Sequence, residues 1–541
     1  MPTTSDTIAS TLKRAGVRRI FGLPGGEIAE VMGACHRAGL PFVLTRHENA
    51  ACIMAGVTGE LTRAPGVALA TVGPGATNLV NGVANAFLER APLLVISAQL
   101  PTELSPILPH QRIDLEAMFR PITKWSHTLT GAATAATVQR ALDLTVEGRP
   151  GPVYLCLPSD IARQEDQPLG PFPVKRDGSG LPSPQDGEAM KGDVAEAARM
   201  ISRAKRPLAM AGIGLDPAKA QPALLRWIEA TGIPIAVTPK AKGLVPEDHR
   251  LFTATSTGMA GDTLFVELLQ ETDLLIGIGF DPVEAIRTFY VNRPFLSIAK
   301  YSLADGQFAP DLEVVGDVGA LLEALQSHDL GHHTWAENDL KVFRRRMASF
   351  LTPSADRSDL GLSPARVVGR LRSLTPRQTI LTVDTGAHKL LTGQVWPAYE
   401  PLTYFVSHGL STMGYALPAA IAAKLERPER PVVAVMGDGG LAMVLAELET
   451  AARLHLSIPI IVLSDRSLYL IRMHQERKGF EAGGVDFGPI DFAGIAAGFG
   501  ARGFRATSWL ELDDAVATAL RGDRPSVIEV PIDPADYHQM L

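Results

Sequence analysis

Along the chain, short runs of aliphatic and β-branched residues alternate with longer stretches in which apolar positions recur at helical spacing. From about Asp6 to Ile161, the segments RRIFGL, PFVLT, GVALATV, PLLVISA and PVYLCL read as strands separated by helices. Strands this continuously apolar are buried on both faces, so the pattern predicts a parallel sheet covered by helices. Between Gln164 and Asp193 the period is lost and Pro, Gly and charged residues take over, which marks a linker. A second block, from about Val194 to Leu325, carries strand-like RPLAMAG, IPIAVT, LLIGIG and PFLSIA. A polar helical stretch, HTWAENDLKVFRRRMASF, and the loop LTPSADRSDLG lead to a third block from about Ser363, with TILTVD, PVVAVMG, PIIVLS and PSVIEVPI. The reading is an α/β chain of three Rossmann-like domains, 1–165, 194–330 and 363–541, with linkers at 166–193 and 331–362. Blocks one and three look like one architecture used twice.

Composition narrows the partners. With 46% apolar and 20% charged residues among 541, the chain is globular rather than disordered. Lys and Arg number 51 against 58 Asp and Glu, and the net charge of −7 is scattered, so no basic stripe invites nucleic acid. Cys35, Cys52 and Cys156 lie far apart and lack CxxC spacing, which argues against a disulfide framework or a structural zinc and fits a reducing cytoplasm. The opening residues hold no signal-like apolar core, and no run of about 18 apolar residues occurs, so neither export nor a membrane span is expected.

The strongest chemical signal is VVAVMGDGG, an apolar strand ending on Gly437, Asp438, Gly439 and Gly440, with a helix expected from about Leu441. Strand carboxyl ends are where open α/β sheets bind ligands, and glycine there lets a phosphate approach the backbone. The next strand, IPIIVLS, ends on Ser464 and Asp465 after one crossover helix, AMVLAELETAARLH. Two carboxylates thus emerge on one edge of adjacent parallel strands. Hard oxygen ligands beside a glycine-rich cradle suit Mg²⁺ bridging a diphosphate.

On these residues the sequence resembles the thiamine diphosphate enzymes of the pyruvate decarboxylase and acetohydroxyacid synthase superfamily, whose metal motif is GDG followed, one crossover later, usually by Asn-Asn. The resemblance implies Mg²⁺ ligands from Asp438, Asp465 and the Ser467 carbonyl, with Leu468 and Tyr469 beside the cofactor. Asp465 in place of Asn adds negative charge that the metal or Arg466 must offset. It also implies a catalytic acid in the first block, supplied by Glu48 in TRHENAACIMAG. Glu48 would hydrogen-bond the aminopyrimidine and so promote loss of the thiazolium C2 proton, which a desolvated carboxyl does best. In FVSHGLSTMGYALP, the Ser411 carbonyl would accept from the 4′-amino group and Met413 would wedge between the two cofactor rings. Thr385, Gly386, Ala387 and His388 would line the diphosphate side. Gly73 and Gly75 in TVGPGATN would form a tight turn beside the Glu48 helix. His110 and Gln111 would orient substrate and move protons, and Lys389, His474 and Gln475 would complete the substrate wall.

Several stretches, among them HQRIDLEAMFRPITKW, GFDPVE and GVDFGPIDFAGIAAGFGARGF, are most similar to the FAD-independent, catabolic-type acetolactate synthase branch. That resemblance implies pyrimidine-binding, central and diphosphate-binding domains, and active sites between subunits of a homodimer or homotetramer. FAD is not expected: His474 stands where the flavin-binding branch has tryptophan, GIGFDPVEAI lacks the FAD-type pattern, and Gly212 and Gly214 alone name no nucleotide. The implied reaction is decarboxylation of a 2-oxo acid, pyruvate or similar, followed by carboligation. The alternative on the same cofactor is a plain 2-oxo acid decarboxylase or a 2-hydroxy ketone lyase. A flavin or nicotinamide oxidoreductase rests only on the repeated Rossmann-like text.

Overall fold

The computed structural model describes residues 2–166, 191–256, 258–285, 293–303, 309–352 and 361–541. Most of the linker expected at 166–193, and most of the loop LTPSADRSDLG within the one expected at 331–362, lie outside the described residues.

Three six-stranded sheets account for the strands of the described residues. The first contains β1 (Ile20–Leu23), β2 (Phe42–Leu44), β3 (Gly66–Ala70), β4 (Leu93–Gln99), β5 (Trp125–Thr128) and β6 (Pro152–Pro158) in the order β2-β1-β3-β4-β6-β5. The second holds β7 (Pro207–Ala211), β8 (Ile235–Val237), β9 (Phe252–Thr255), β10 (Leu274–Ile278), β11 (Phe295–Ala299) and β12 (Leu312–Val315), ordered β12-β11-β10-β7-β8-β9. The third comprises β13 (Ile380–Val383), β14 (Tyr404–Val406), β15 (Val432–Gly437), β16 (Pro459–Ser464), β17 (Arg502–Arg505) and β18 (Ser526–Pro531), ordered β14-β13-β15-β16-β18-β17. Every pairing between these strands is parallel.

The first and third sheets have identical topology, as their sequence likeness suggests. In each the strand order reverses between the first strand and the third, and that crevice is where open α/β sheets take ligands. The central strands are buried along almost their whole length, as helices on both faces require.

Five of these strands went unread in the sequence: β5, β9, β12, β14 and β17. All five are edge strands. An edge strand pairs on one side only and needs less apolar text: β17, RGFR, alternates partly buried and exposed residues, and β5, WSHT, is half-buried throughout.

The chain divides into two compact units. One contains the described residues of 1–183 together with 409–428 and 444–456, and the other those of 184–408, 429–443 and 457–541. Within the first unit, the helix Glu48–Thr62 is built from small residues and buried around its circumference. It packs against the helix Ala416–Glu426, and the Arg427 guanidinium donates to the Leu61 carbonyl at 2.9 Å. Glu426, with a fully buried side chain, pairs with Arg18 at 3.2 Å and Arg19 at 3.4 Å. Among the described residues no helix is long and apolar enough to cross a membrane, and the three cysteines are free and buried.

Candidate active site

In the first unit, β2 leads into a turn that delivers Glu48 as the first residue of its helix, where the helix N-terminus favours an acid. His47 caps that helix, its Nδ1 accepting from the Asn49 N–H at 3.0 Å. Glu48 is only 4% exposed, and its Oε2 accepts from Asn78 Nδ2 at 3.0 Å. The turn after β3 closes over it: a Cβ on Gly75 would sit 3.4 Å from Glu48 Oε1. Gly73 adopts φ +60°, and a Cβ there would lie 3.0 Å from Gln111 Cγ, so the structure brings Gln111 to the same turn. His110 lies next to it in an exposed stretch. The segment carrying Ser411 and Met413 belongs to this unit too. Glu89 Oε1 accepts from the Gly409 N–H at 2.7 Å, and Asn81 Nδ2 donates to Thr412 Oγ1 at 2.9 Å and to Asn49 Oδ1 at 3.1 Å. Ser411 takes the left-handed conformation, φ 57°.

In the second unit, β15 runs directly into the helix Asp438–Val444. The helix therefore starts at Asp438 rather than near Leu441, and the Asp438 carboxylate accepts from the Gly439 N–H, one of the donors a helix start leaves unpaired, at 2.8 Å. The expected crossover helix is also broken in two, resuming at Glu447–Arg453. Asp438 Oδ2 gathers the Asp465 N–H at 3.0 Å, the Arg466 N–H at 2.7 Å and Ser464 Oγ at 3.3 Å. Asp465 Oδ1 accepts from the Ser467 N–H at 3.1 Å. Burial, followed by the charge of Asp438, pushes the Asp465 carboxyl up to about 7.

The loop after β13 meets this edge. Asp384 is fully buried, and a Cβ on Gly440 would fall 2.5 Å from its Oδ2. Gly386 has φ 156° and ψ −174°, a conformation reserved for glycine. Cβ atoms on Gly386 and Gly437 would lie 2.6 and 3.1 Å from His388 Cε1, so the imidazole spans both glycines. Burial, reinforced by Lys389, holds the His388 imidazole down to about 4 and keeps it neutral. Its Nε2 is buried and lacks a hydrogen-bond partner. Lys389 is buried as well, donating to the Ser407 carbonyl at 3.0 Å. Leu468 donates its N–H to the Val485 carbonyl at 2.8 Å, and the Tyr469 ring stands 5.9 Å from that of Tyr537. His474 and Gln475 are half-buried on the helix Tyr469–Arg477, and Gln475 exchanges hydrogen bonds with the Gly483 backbone at 3.1 and 3.2 Å.

Residues 2–118, 194–325 and 384–530 match, in turn, the N-terminal TPP binding domain, the central domain and the C-terminal TPP binding domain of thiamine pyrophosphate enzymes. The chain is 32% identical to the catabolic acetolactate synthase of Raoultella terrigena, covering 98% of this chain and 95% of that protein. It is 30% identical to the acetolactate synthase of Bacillus subtilis (98% and 93%) and 31% identical to a probable acetolactate synthase large subunit of Methanocaldococcus jannaschii (99% and 93%). The chain belongs to the thiamine diphosphate-dependent acetolactate synthase family. It is a thiamine diphosphate-dependent, acetolactate synthase-like enzyme.

The residues present fit the cofactor this family uses. Gly386, Gly437 and Gly440 form tight turns at the strand ends where a diphosphate would lie, a side chain at any of them meeting His388 or Asp384, and the buried Nε2 of His388 is an orphaned polar atom at the same edge. Two adjacent carboxylates, Asp438 buried and Asp465 half-buried with its carboxyl raised to about 7, suit a divalent cation that keeps both ionised. Among the described residues no three His, Cys, Asp or Glu side chains cluster as a metal site, so a cation here needs backbone oxygen besides Asp438 and Asp465.

The central domain treats its own strand-order reversal differently. There Glu284 Oε2 accepts from the Ile213 N–H at 2.8 Å, and a Cβ on Gly212 would lie 2.6 Å from Phe280 Cα. The chain fills this crevice with its own carboxylate and backbone.

Four supporting residues escaped the sequence reading: Asn78, Asn81, Glu89 and Glu447. Glu447 is 1% exposed and accepts from the backbone N–H groups of Arg46 and His47 at 2.9 and 3.1 Å. In sequence it stands in ELETAAR, which reads as a charged helix face; only its apolar neighbours Leu448 and Ala451 hint at burial.

Proposed function

We propose that this enzyme decarboxylates a 2-oxo acid, pyruvate or a close relative, and joins the remaining carbon unit to a second carbonyl compound to give an acetolactate-type product. The observation that carries the proposal is Glu48: a carboxyl taken out of water, fixed by Asn78 through one oxygen, with the other against the Gly75 turn. Bound thiamine diphosphate supplies the electron sink for the pair left behind by carbon dioxide. Glu48 would hold and return a proton at Oε1, the oxygen that Asn78 leaves free. Asp438, Asp465 and the Ser467 carbonyl would hold Mg²⁺, and Gly437, Gly439, Gly440, Thr385, Gly386, Ala387 and His388 would border the diphosphate. The Ser411 carbonyl and Met413 would receive the aminopyrimidine, and Leu468 and Tyr469 would also border the cofactor. Gln111, with His110, would orient the substrate carbonyl, and Lys389, His474 and Gln475 would flank it.

The same proposal carries the domain limits 1–165, 194–330 and 363–541, a homodimer or homotetramer with active sites between subunits, and a cytoplasmic location. Glu48→Gln tests it. Turnover of pyruvate should fall by at least a hundredfold while the circular-dichroism spectrum and melting temperature stay unchanged; unaltered turnover removes Glu48 from the chemistry. Mass detection of products settles the outcome of decarboxylation, because acetaldehyde without acetolactate would point to a decarboxylase.

A further inference from the structure

In the first sheet the strand order reverses between β1 and β3; β1 is followed by residues 24–28, which end in the 3-10 turn Gly26–Ile28, and β3 by residues 71–75, which enter the helix Pro74–Asn78. By topology this crevice corresponds to the one between β13 and β15, where Asp384, Gly386 and Gly440 meet. One ionisable side chain spans it. Glu27 Oε2 accepts from Thr71 Oγ1 at 2.6 Å. The contact continues inward: a Cβ on Gly75 would lie 2.7 Å from Thr71 Cγ2 and 3.4 Å from Glu48 Oε1. A Cβ on Gly25 would collide with the Thr71 side chain, so the loop is pressed against the turn and Glu27 has a fixed base. Gly73, between Thr71 and Gly75, touches Gln111. Glu27, Thr71, Glu48 and Gln111 therefore share the carboxyl-end edge of one sheet.

Glu27 is half-exposed, and among the described residues its carboxylate has Thr71 as its hydrogen-bond donor and no cationic partner. Its second oxygen, Oε1, has no hydrogen-bond donor among the described residues, and in a half-exposed residue water supplies one. A substrate that covers this oxygen strips its hydration and must replace it with a donor, or the newly buried carboxylate is left unsatisfied. An alkyl group offers no replacement, and a second substrate carboxylate adds repulsion.

We propose that Glu27 is a specificity-determining residue, selecting a 2-oxo acid or carbonyl acceptor whose side chain bears a hydrogen-bond donor, a hydroxyl or a protonated nitrogen. The proposal rests on the function assigned above and specifies its substrate class.

The test compares thiamine diphosphate- and Mg²⁺-loaded wild type with Glu27→Gln and Glu27→Ala. The substrates are pyruvate, hydroxypyruvate, 5-guanidino-2-oxopentanoate and 2-oxoglutarate. The hydroxyl-bearing and guanidinium-bearing acids separate the two kinds of donor. At least one of them should exceed pyruvate in kcat/KM for wild type, and Glu27→Gln should cut that preference by about 10- to 100-fold, the worth of a hydrogen bond to a charged group. The same substitution should raise the relative use of 2-oxoglutarate.

A second readout is independent of turnover. Calorimetric binding of the four acids is repeated on loaded Glu48→Gln enzyme with and without Glu27→Gln. Loss of the donor preference in the double variant, with an unchanged melting temperature, supports the proposal. Substrate ratios that agree within twofold between wild type and Glu27→Gln, or no preference for either donor-bearing acid, overturn it. Absence of turnover of all 2-oxo acids by wild type would instead refute the assigned reaction, while the binding ratios still judge Glu27.

Discussion

Glu447 Oε1 accepts the backbone N–H of His47 at 3.1 Å, so a carboxylate on the helix Glu447–Arg453 holds the residue immediately before Glu48. The same oxygen takes the Arg46 N–H at 2.9 Å, while Oε2 receives Thr450 Oγ1 at 2.7 Å. Removing the carboxylate strands two backbone donors at the start of the Glu48 helix. Glu447→Ala should lower kcat more than tenfold and cost about 1–3 kcal/mol of stability. Glu447→Gln, which keeps a carbonyl acceptor, should recover part of both. Steady-state kinetics beside thermal melts checks this; equal kinetics for wild type and Glu447→Ala would mean that the contact does not position Glu48.

The Asp438 and Asp465 pair predicts how the protein responds to metal. The Asp465 carboxyl is raised in the folded protein to about 7, so its share of stability is full below the unfolded carboxyl value near 4 and is lost as pH rises through 7. Without Mg²⁺ the protein should melt lower at pH 8 than at pH 6, and Mg²⁺ should reverse that trend. Asp465→Asn should raise the metal-free melting temperature at pH 8. Asp438→Asn should weaken Mg²⁺ activation by tenfold or more.

His388 and His408 are both buried and neutral, burial holding the first to about 4 and the second to about 3. A histidine depressed below its unfolded value near 6.5 stabilises the fold above that pH and stops doing so as pH falls through the folded value. Urea midpoints should therefore drop between pH 6.5 and 4. His408→Gln, which can still donate to the Glu284 carbonyl that His408 Nε2 reaches at 3.0 Å, should flatten that drop.

Gly386 should tolerate no side chain. At φ 156°, and with a Cβ placed 2.6 Å from the His388 ring, Gly386→Ala should cost about 1–3 kcal/mol. It should also weaken thiamine diphosphate binding, measured by fluorescence titration. Gly479→Ala serves as a comparison, because its φ of 74° is also strained but nothing lies within 4 Å of its Cβ. That variant should lose stability without losing cofactor.

The hydrophobic pattern alone determined the α/β class, the three-sheet plan and thirteen of the eighteen strands among the described residues, because a strand buried on both faces writes its burial into a few consecutive residues. The glycine and aspartate text around Gly437, Asp438 and Asp465 was legible for the same reason: strand, turn and helix start are local, and the chemistry lies at their junction. What only the tertiary structure decided are relationships between distant positions. Edge strands such as Arg502–Arg505 are fixed by a neighbour on one side. The supports of Glu48 come from Asn78, 30 residues on, while Glu447, 400 residues from His47, holds the turn before it. A buried glutamate and a solvated one look alike in sequence, since desolvation and hydrogen bonding depend on what the folded chain places around them. Glu27 belongs with these: nothing in the text PGGEIAE around it marks it out, and only the packing of β1 beside β3 sets its carboxylate against Thr71.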